Sequence, residues 1–443
     1  MQKITITIIS ILIIFSNTYP QSDTSRYNNK KSEQIKKGWT FGAVPAIAFD
    51  SDIGFKYGAV VNLYNFGDGS TYPKYKHSLY FEWSRTTKGS GINQFIYDTE
   101  HLIPGIRLLI EASYLTEQNL DFYGFNGYKS LYNHSYEDKT DALYISRMYY
   151  KLDRKLTRIG AEFQGSLIGK KLRWVGGYTY FGNNIGTVDI ERLNKGKEGI
   201  DRLPDTALLY DQYVKWNIIP ADQAKGGNSH VFKCGIVYDT RDNEPNPMKG
   251  LWSEIILLYA AAPRYSFSKI LITHRQYFTL APKVLNLAYR IGYQGKLTGN
   301  IPFYMLPYIY NTAPNMTRDG LGGAKTMRGI LRNRVVGDGM LYGNFELRWK
   351  FLRTVLFNQN IYIALSSFID AGMVVQDYKI NTTQVPSSFM YLFPDEKESI
   401  HWSGGAGIHF VLNENFIVTV DHGWAFNKND GEKGLYINLN FLY

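Results

Sequence analysis

The 443-residue sequence contains a single cysteine, Cys234. That excludes an intrachain disulfide framework and any zinc site built from cysteines. The sequence also lacks an apolar stretch of about 20 residues, the length an α-helix needs to cross a bilayer. Its longest, Ile4 to Phe15, is too short. After Trp39 no window sustains a 3.6-residue hydrophobic period, so amphipathic helices are not indicated. There is no G-x-S-x-G nucleophile elbow, no H-E-x-x-H pair and no Walker loop. A lipid-handling hydrolase would need a nucleophile and a base, and nothing recognisable supplies them. His401 and His409 lie too far apart on one candidate strand to share a metal. The chain reads as non-enzymatic, with no cofactor and no metal.

What the sequence does have is aromatic residues: 35 Tyr, 25 Phe and 8 Trp. Tyrosine joins an apolar ring to a polar tip, which suits a water–lipid boundary or the wall of a wet barrel. A Tyr-rich soluble sandwich would have the same bulk composition, so composition alone leaves both open. Residues 1–22 have the outline of a secretory signal peptide: Lys3, an apolar run to Phe15, then a polar stretch with the cut placed near residues 19 to 22. No cysteine follows the run to carry a lipid anchor. Export argues against nucleic acid as the partner of a chain with net charge +10. The cations read instead as loop and lumen charges that face outer-membrane lipid and lipopolysaccharide. Residues 23–38, with Lys30, Lys31, Lys36 and Lys37, read as a flexible basic periplasmic arm or a segment ordered by a partner.

Residues 39–443 break into alternating segments of period two, from Thr40–Asp50 to Gly434–Tyr443. There are sixteen if Ala142–Leu167 is one long strand, and seventeen if it divides at Leu152–Lys155. Sixteen puts the long insertions, Gln118–Asp141, Asn183–Ser229, Leu297–Gly339 and Gln376–His401, on one rim. Short turns such as Pro104-Gly105 and Ala281–Lys283 then fall on the other. Even strand number, long outer loops and short periplasmic turns are the outer-membrane arrangement. The predicted fold is all-β, a 16-stranded antiparallel transmembrane β-barrel in the bacterial outer membrane.

Within it, Leu341, Phe345, Leu347, Trp349 and Phe351 share one strand face, opposite Tyr342, Asn344, Glu346, Arg348 and Lys350. So wide a barrel has a lumen that wall side chains cannot fill, so the polar face should line a wet interior and the apolar face should meet lipid. By the same parity Leu435, Ile437, Leu439, Phe441 and Tyr443 are expected to face lipid, with Tyr443 at the periplasmic boundary. Glu346 and Asp370 point inward on neighbouring strands. Ahead of them stands a long loop carrying Met327, Arg328, Gly329 and Ile330. The expectation is that this loop folds into the lumen and is pinned by Arg328 on the two carboxylates. The alternative is a solvated loop arginine above two separately hydrated acids.

These residues resemble the BamA/TamA-type bacterial surface antigen superfamily. Its loop tetrad of aliphatic, Arg, Gly and aromatic residues is matched by Met327 to Ile330, apart from the final aromatic. Glu346-Leu347-Arg348 is similar to the family's Glu-Leu-Arg segment, and Phe368, Asp370 and Gly372 to its Phe-x-Asp-x-Gly. Asp239, Arg241, Asp242, Pro247 and Gly250 match its periplasmic turn, and Phe122 to Gly127 another segment. Leu439, Phe441 and Tyr443 resemble the C-terminal signal that assembly machinery reads. The resemblance implies a role in outer-membrane protein insertion or protein translocation, with client proteins. It also implies a seam between Thr40–Asp50 and Gly434–Tyr443 that opens to pair with a client strand. Members with such roles usually carry periplasmic POTRA domains, for which residues 23–38 leave no room. A short member would therefore rely on a periplasmic partner in their place, or would be a passive channel or a structural subunit of an envelope complex.

Overall fold

The computed structural model describes residues 34–46, 48–50, 54–87, 89–169, 171–312 and 319–443. The signal peptide expected over residues 1–22 and most of the expected basic arm lie outside the described residues. Strands β1 (Trp39–Pro45) and β2 (Ala48–Asp50) both pair antiparallel with β3 (Gly54–Asn65) in a single register. Then follow β4 (His77–Thr86), β5 (Gly91–Ile103), β6 (Ile106–Asp121), β7 (Lys151–Ile168), β8 (Leu172–Gly186) and β9 (Gly226–Asp239). The sheet continues through β10 (Gly250–Ala261), β11 (Phe267–Ala281), β12 (Leu285–Gly299) and β13 (Gly339–Leu356). It ends with β14 (Gln359–Gln376), β15 (His401–Leu412), β16 (Phe416–Ala425) and β17 (Lys433–Leu439). From β3 onward each strand pairs antiparallel with its predecessor. With β1 and β2, which share one register on β3, counted once, the sheet has sixteen strands. Its ends come round to meet. A Cβ added to Gly42 on β1 would strike the Phe416 ring on β16, and the Tyr64 hydroxyl donates to the Asn415 carbonyl. The fold is a sixteen-stranded antiparallel β-barrel.

Period-two alternation sets what each face meets. Phe345 and Trp349 of β13 are 47% and 49% exposed, whereas Asn344, Glu346, Arg348 and Lys350 on the opposite face are buried. Ile255, Leu257 and Tyr259 of β10 are exposed in the same way. This apolar outer surface is what a lipid bilayer requires, and no helix among the described residues is long and apolar enough to cross a membrane.

Three expectations are corrected. The strand drawn over Ala142–Leu167 begins only at Lys151, because residues 146–151 form tight turns that seat Met148, Tyr149 and Tyr150 in the interior. The outer half of the lumen is not simply wet. Phe122, Phe125, Tyr149, Tyr213, Trp216 and Phe303, all from the long loops, pack into one apolar cluster there. The last residues of the arm are tied down: the Gln34 backbone and the Asn360 side chain exchange two hydrogen bonds of 2.8 Å, and Lys36 Nζ donates to the Asn358 carbonyl.

Candidate functional site: a lumenal loop and the terminal tail

The connection between β12 and β13 turns back into the barrel. Leu321 bridges to Val335, and Leu321, Met327, Ile330 and Val335 are buried with Met340, Tyr342 and Val374 of the wall. This apolar footing delivers Arg328 to the inner face of β13 and β14. Its Nε and Nη2 donate to the two oxygens of Asp370 at 3.0 and 3.2 Å, and Nη1 donates to Glu346 Oε2 at 2.9 Å. The Arg328 backbone N–H also donates to Asp370, at 2.9 Å. The guanidinium lies 3.4 Å from the centre of the Phe368 ring, a cation–π contact. Burial opposes the charge on Arg328, but Asp370 and Glu346 outweigh it and raise its pKa above the usual guanidinium value.

The neighbouring motif residues act sterically. A Cβ on Gly372 would lie 2.6 Å from the Met327 sulfur, so glycine there makes room for the loop. Gly329, at φ +97°, sits flat on the backbone of β16, where a Cβ would be 2.6 Å from the Trp424 nitrogen. Its N–H donates to the Tyr436 hydroxyl of β17 at 2.9 Å. Parity reasoning overlooked two participants. Asp421 of β16 stands 3.5 Å from Arg328 Nη1 and lies 3.0 Å from His409 Nε2, from which it accepts in the tautomer that protonates that nitrogen. Tyr436 bridges the loop to the last strand. Asp421 was legible, since it shares parity with the buried Ile417 and Thr419.

The expected orientation of the chain end is overturned beyond Leu439. Leu435 and Ile437 do face outward, 66% and 57% exposed. At Asn440 the backbone adopts φ +63°, the ladder with β16 stops at Val418↔Leu439, and the remaining residues enter the lumen. Phe441 and Tyr443 are each only 7% exposed. Phe441 stacks edge-on against His409 and lies 4.2 Å from the Arg348 guanidinium. The Tyr443 hydroxyl donates to the Ala288 carbonyl at 3.0 Å, and Arg348 Nη2 donates to the Tyr443 main-chain oxygen at 3.2 Å. Arg348 also donates to Glu346 Oε1 at 2.6 Å. Glu346 thus holds the loop with one oxygen and, through Arg348, the tail with the other.

The motif turn between β9 and β10 lies at the opposite rim. Asp239 accepts from Arg241 Nε at 3.0 Å, and Asp242 Oδ1 accepts the Met248 and Lys249 backbone N–H groups at 3.0 and 3.2 Å. Gly250, at φ +97°, passes so close to Thr240 that a Cβ would collide with its carbonyl oxygen. The turn reaches across the mouth: the Pro247 carbonyl accepts from Asn286, and Asn246 bonds Lys350 and Glu414. It forms a floor under the lumen, with a cavity of about 280 Å³ between it and the turn at Thr71 to Tyr75. Phe122 to Gly127 joins the outer loops, with the Asn126 N–H donating to the Val336 carbonyl at 2.7 Å.

No curated protein sequence matches the chain. Among solved structures, CdiB from Escherichia coli superposes with a TM-score of 0.50 at 10% identity, over 91% of this chain and 62% of that one. BamA from Haemophilus ducreyi lacking POTRA domains 1–3 gives 0.49 at 16% identity, over 91% and 69%. The chain therefore spans less than two thirds of the CdiB chain. At these identities the likeness concerns the fold. Residues 179–441, which contain the motif turn, the loop and the last strand, match the Omp85 superfamily domain. This chain is an outer-membrane β-barrel that belongs to the Omp85 superfamily.

Proposed function

We propose that this barrel serves in outer-membrane protein insertion or protein translocation, by pairing a client strand with its own seam. The observation that carries the reading is the state of the two terminal strands. The first pairs with β3 over its described length, and the last ends at Leu439 with its tail inside the lumen. Below that point the Ile417 carbonyl accepts the Asn440 N–H at 2.9 Å, and Phe416 meets Gly42 through its side chain. Partly unpaired strand ends are templates for β-augmentation. Membership of the superfamily supports the same reading. Client proteins, lipid and lipopolysaccharide, and a periplasmic partner docking near the Gln34 to Gly38 segment are the proposed partners.

A passive channel has less support. The long-loop cluster covers one end of the lumen and the motif turn the other. In a Cys234→Ser background, Gly42→Cys with Phe416→Cys would staple the seam where it already touches. Oxidation should abolish client insertion by the purified barrel in vesicles, and reduction should restore it. Full crosslinking with unchanged insertion would remove seam opening from the mechanism.

A further inference from the structure

On the inner wall just above the floor turn, four buried donors lack a partner among the described residues: Trp252 Nε1, Arg275 Nε, the Tyr277 hydroxyl and Arg348 Nη1. The first three are not scattered. Trp252 pairs in register with Arg275, and Arg275 with Arg290, across β10, β11 and β12. Tyr277 is two residues along β11, on the same inward face. Trp252, Arg275 and Tyr277 are 2%, 6% and 1% exposed.

Arg275 and Arg290 stand directly opposite one another, both buried, and like charges so placed repel. Neither forms an ion pair with an acid among the described residues. Arg290 donates to the Asn344 side chain and to the Leu442 and Lys325 carbonyls, while Arg275 faces the Trp252 ring, 5.8 Å away. Elsewhere in the lumen arginines are matched with acids, as Arg158 is with Glu111 and Arg107 with Asp98. Buried donors without acceptors are costly, and two facing guanidiniums add to that cost. One kind of ligand meets both conditions: a group rich in acceptor oxygens that carries negative charge.

We infer that the Trp252–Arg275–Tyr277–Arg290 patch is an oxyanion-binding site that takes a phosphate-bearing group, either free phosphate or the phosphate of a lipid headgroup. A bound oxyanion would accept from the orphaned indole, guanidinium and phenol and neutralise the facing arginines. Occupancy should therefore stabilise the barrel, and the site should need both arginines.

The test uses the full barrel purified in a neutral detergent. Thermal unfolding is followed against inorganic phosphate, with sodium chloride at matched ionic strength as control. The wild type should gain several degrees with phosphate over chloride, with a saturable midpoint. Arg275→Gln should weaken that midpoint at least tenfold. Tyr277→Phe, which deletes one hydroxyl and keeps the ring, should weaken it severalfold, and it stands in should the arginine variant fail to fold. Native mass spectrometry then separates the sources. A phospholipid or lipopolysaccharide retained by the wild type and lost in Arg275→Gln assigns a headgroup, and a phosphate response without retained lipid assigns the free anion. Equal response to phosphate and chloride with no lipid retained, or an effect that persists unchanged in both variants, would overturn the site.

Discussion

Replacing Arg328 by alanine isolates the contact on which the lumenal loop rests. The side chain is 1% exposed and donates three hydrogen bonds to two carboxylates. Removing one partner of a buried ion pair costs about 3–5 kcal/mol, because the other charge is left without compensation. Here the acids are not stranded equally. Glu346 keeps Arg348 at 2.6 Å, while Asp370 falls back on the Asn344 amide at 2.8 Å. The expected loss is thus at the lower end, about 3 kcal/mol, which is roughly a hundredfold rise in the open population of the loop. Hydrogen exchange or limited proteolysis over residues 319–338 reads that population directly, with exchange in β10 and β11 as an internal standard. Arg328→Lys should recover only part of the loss, since a point charge cannot span both acids as a planar fork does. Unchanged exchange in the loop, or an equal rise throughout the barrel, would refute the assignment of the lock to this arginine.

Other consequences can be checked alongside. Gly329→Ala should release the loop by about 3 kcal/mol or more, because the residue combines positive φ with backbone contact to Trp424, and exchange at Tyr436 should rise with it. Tyr443→Phe removes only the bond to the Ala288 carbonyl and should cost about 1 kcal/mol in urea titration, whereas Tyr443→Ala also empties the space of a buried ring and should cost about 3–5 kcal/mol. In the floor turn, burial pushes the Glu244 carboxyl up, but Arg107 and then Arg241 outweigh it and hold it well below the ordinary range. A depressed carboxylate stabilises the fold above its unfolded pKa, about 4.3, and that contribution is lost as pH falls towards the lower folded value. Exchange in residues 240–249 should therefore rise below about pH 4, and Glu244→Gln should flatten that dependence.

Much of the barrel could be read because its strands obey a period of two. The inward placement of Glu346 and Asp370 and the outward placement of Phe345 and Trp349 follow from parity alone. Parity fails where one residue resets it. Asn440 takes a left-handed conformation that asparagine tolerates better than most residues, and the chain beyond it leaves the wall for the lumen. The reading also extended a strand back over residues 142–150, where the apolar residues run consecutively and Ile145, Met148, Tyr149 and Tyr150 serve loop cores. The aromatic content of the long loops was the available signal: Phe122, Tyr149 and Phe303 make poor solvent-facing loops and good packing. The floor formed by the motif turn left no such trace, since Asn246 and Pro247 reach partners far away in sequence.

Depletion of this protein from its own cell, followed by quantitative proteomics of the purified outer membrane, tests the proposed role most directly. The account predicts early loss of a defined set of barrels or surface proteins, before any general envelope stress response. An unchanged outer-membrane proteome under full depletion would contradict it.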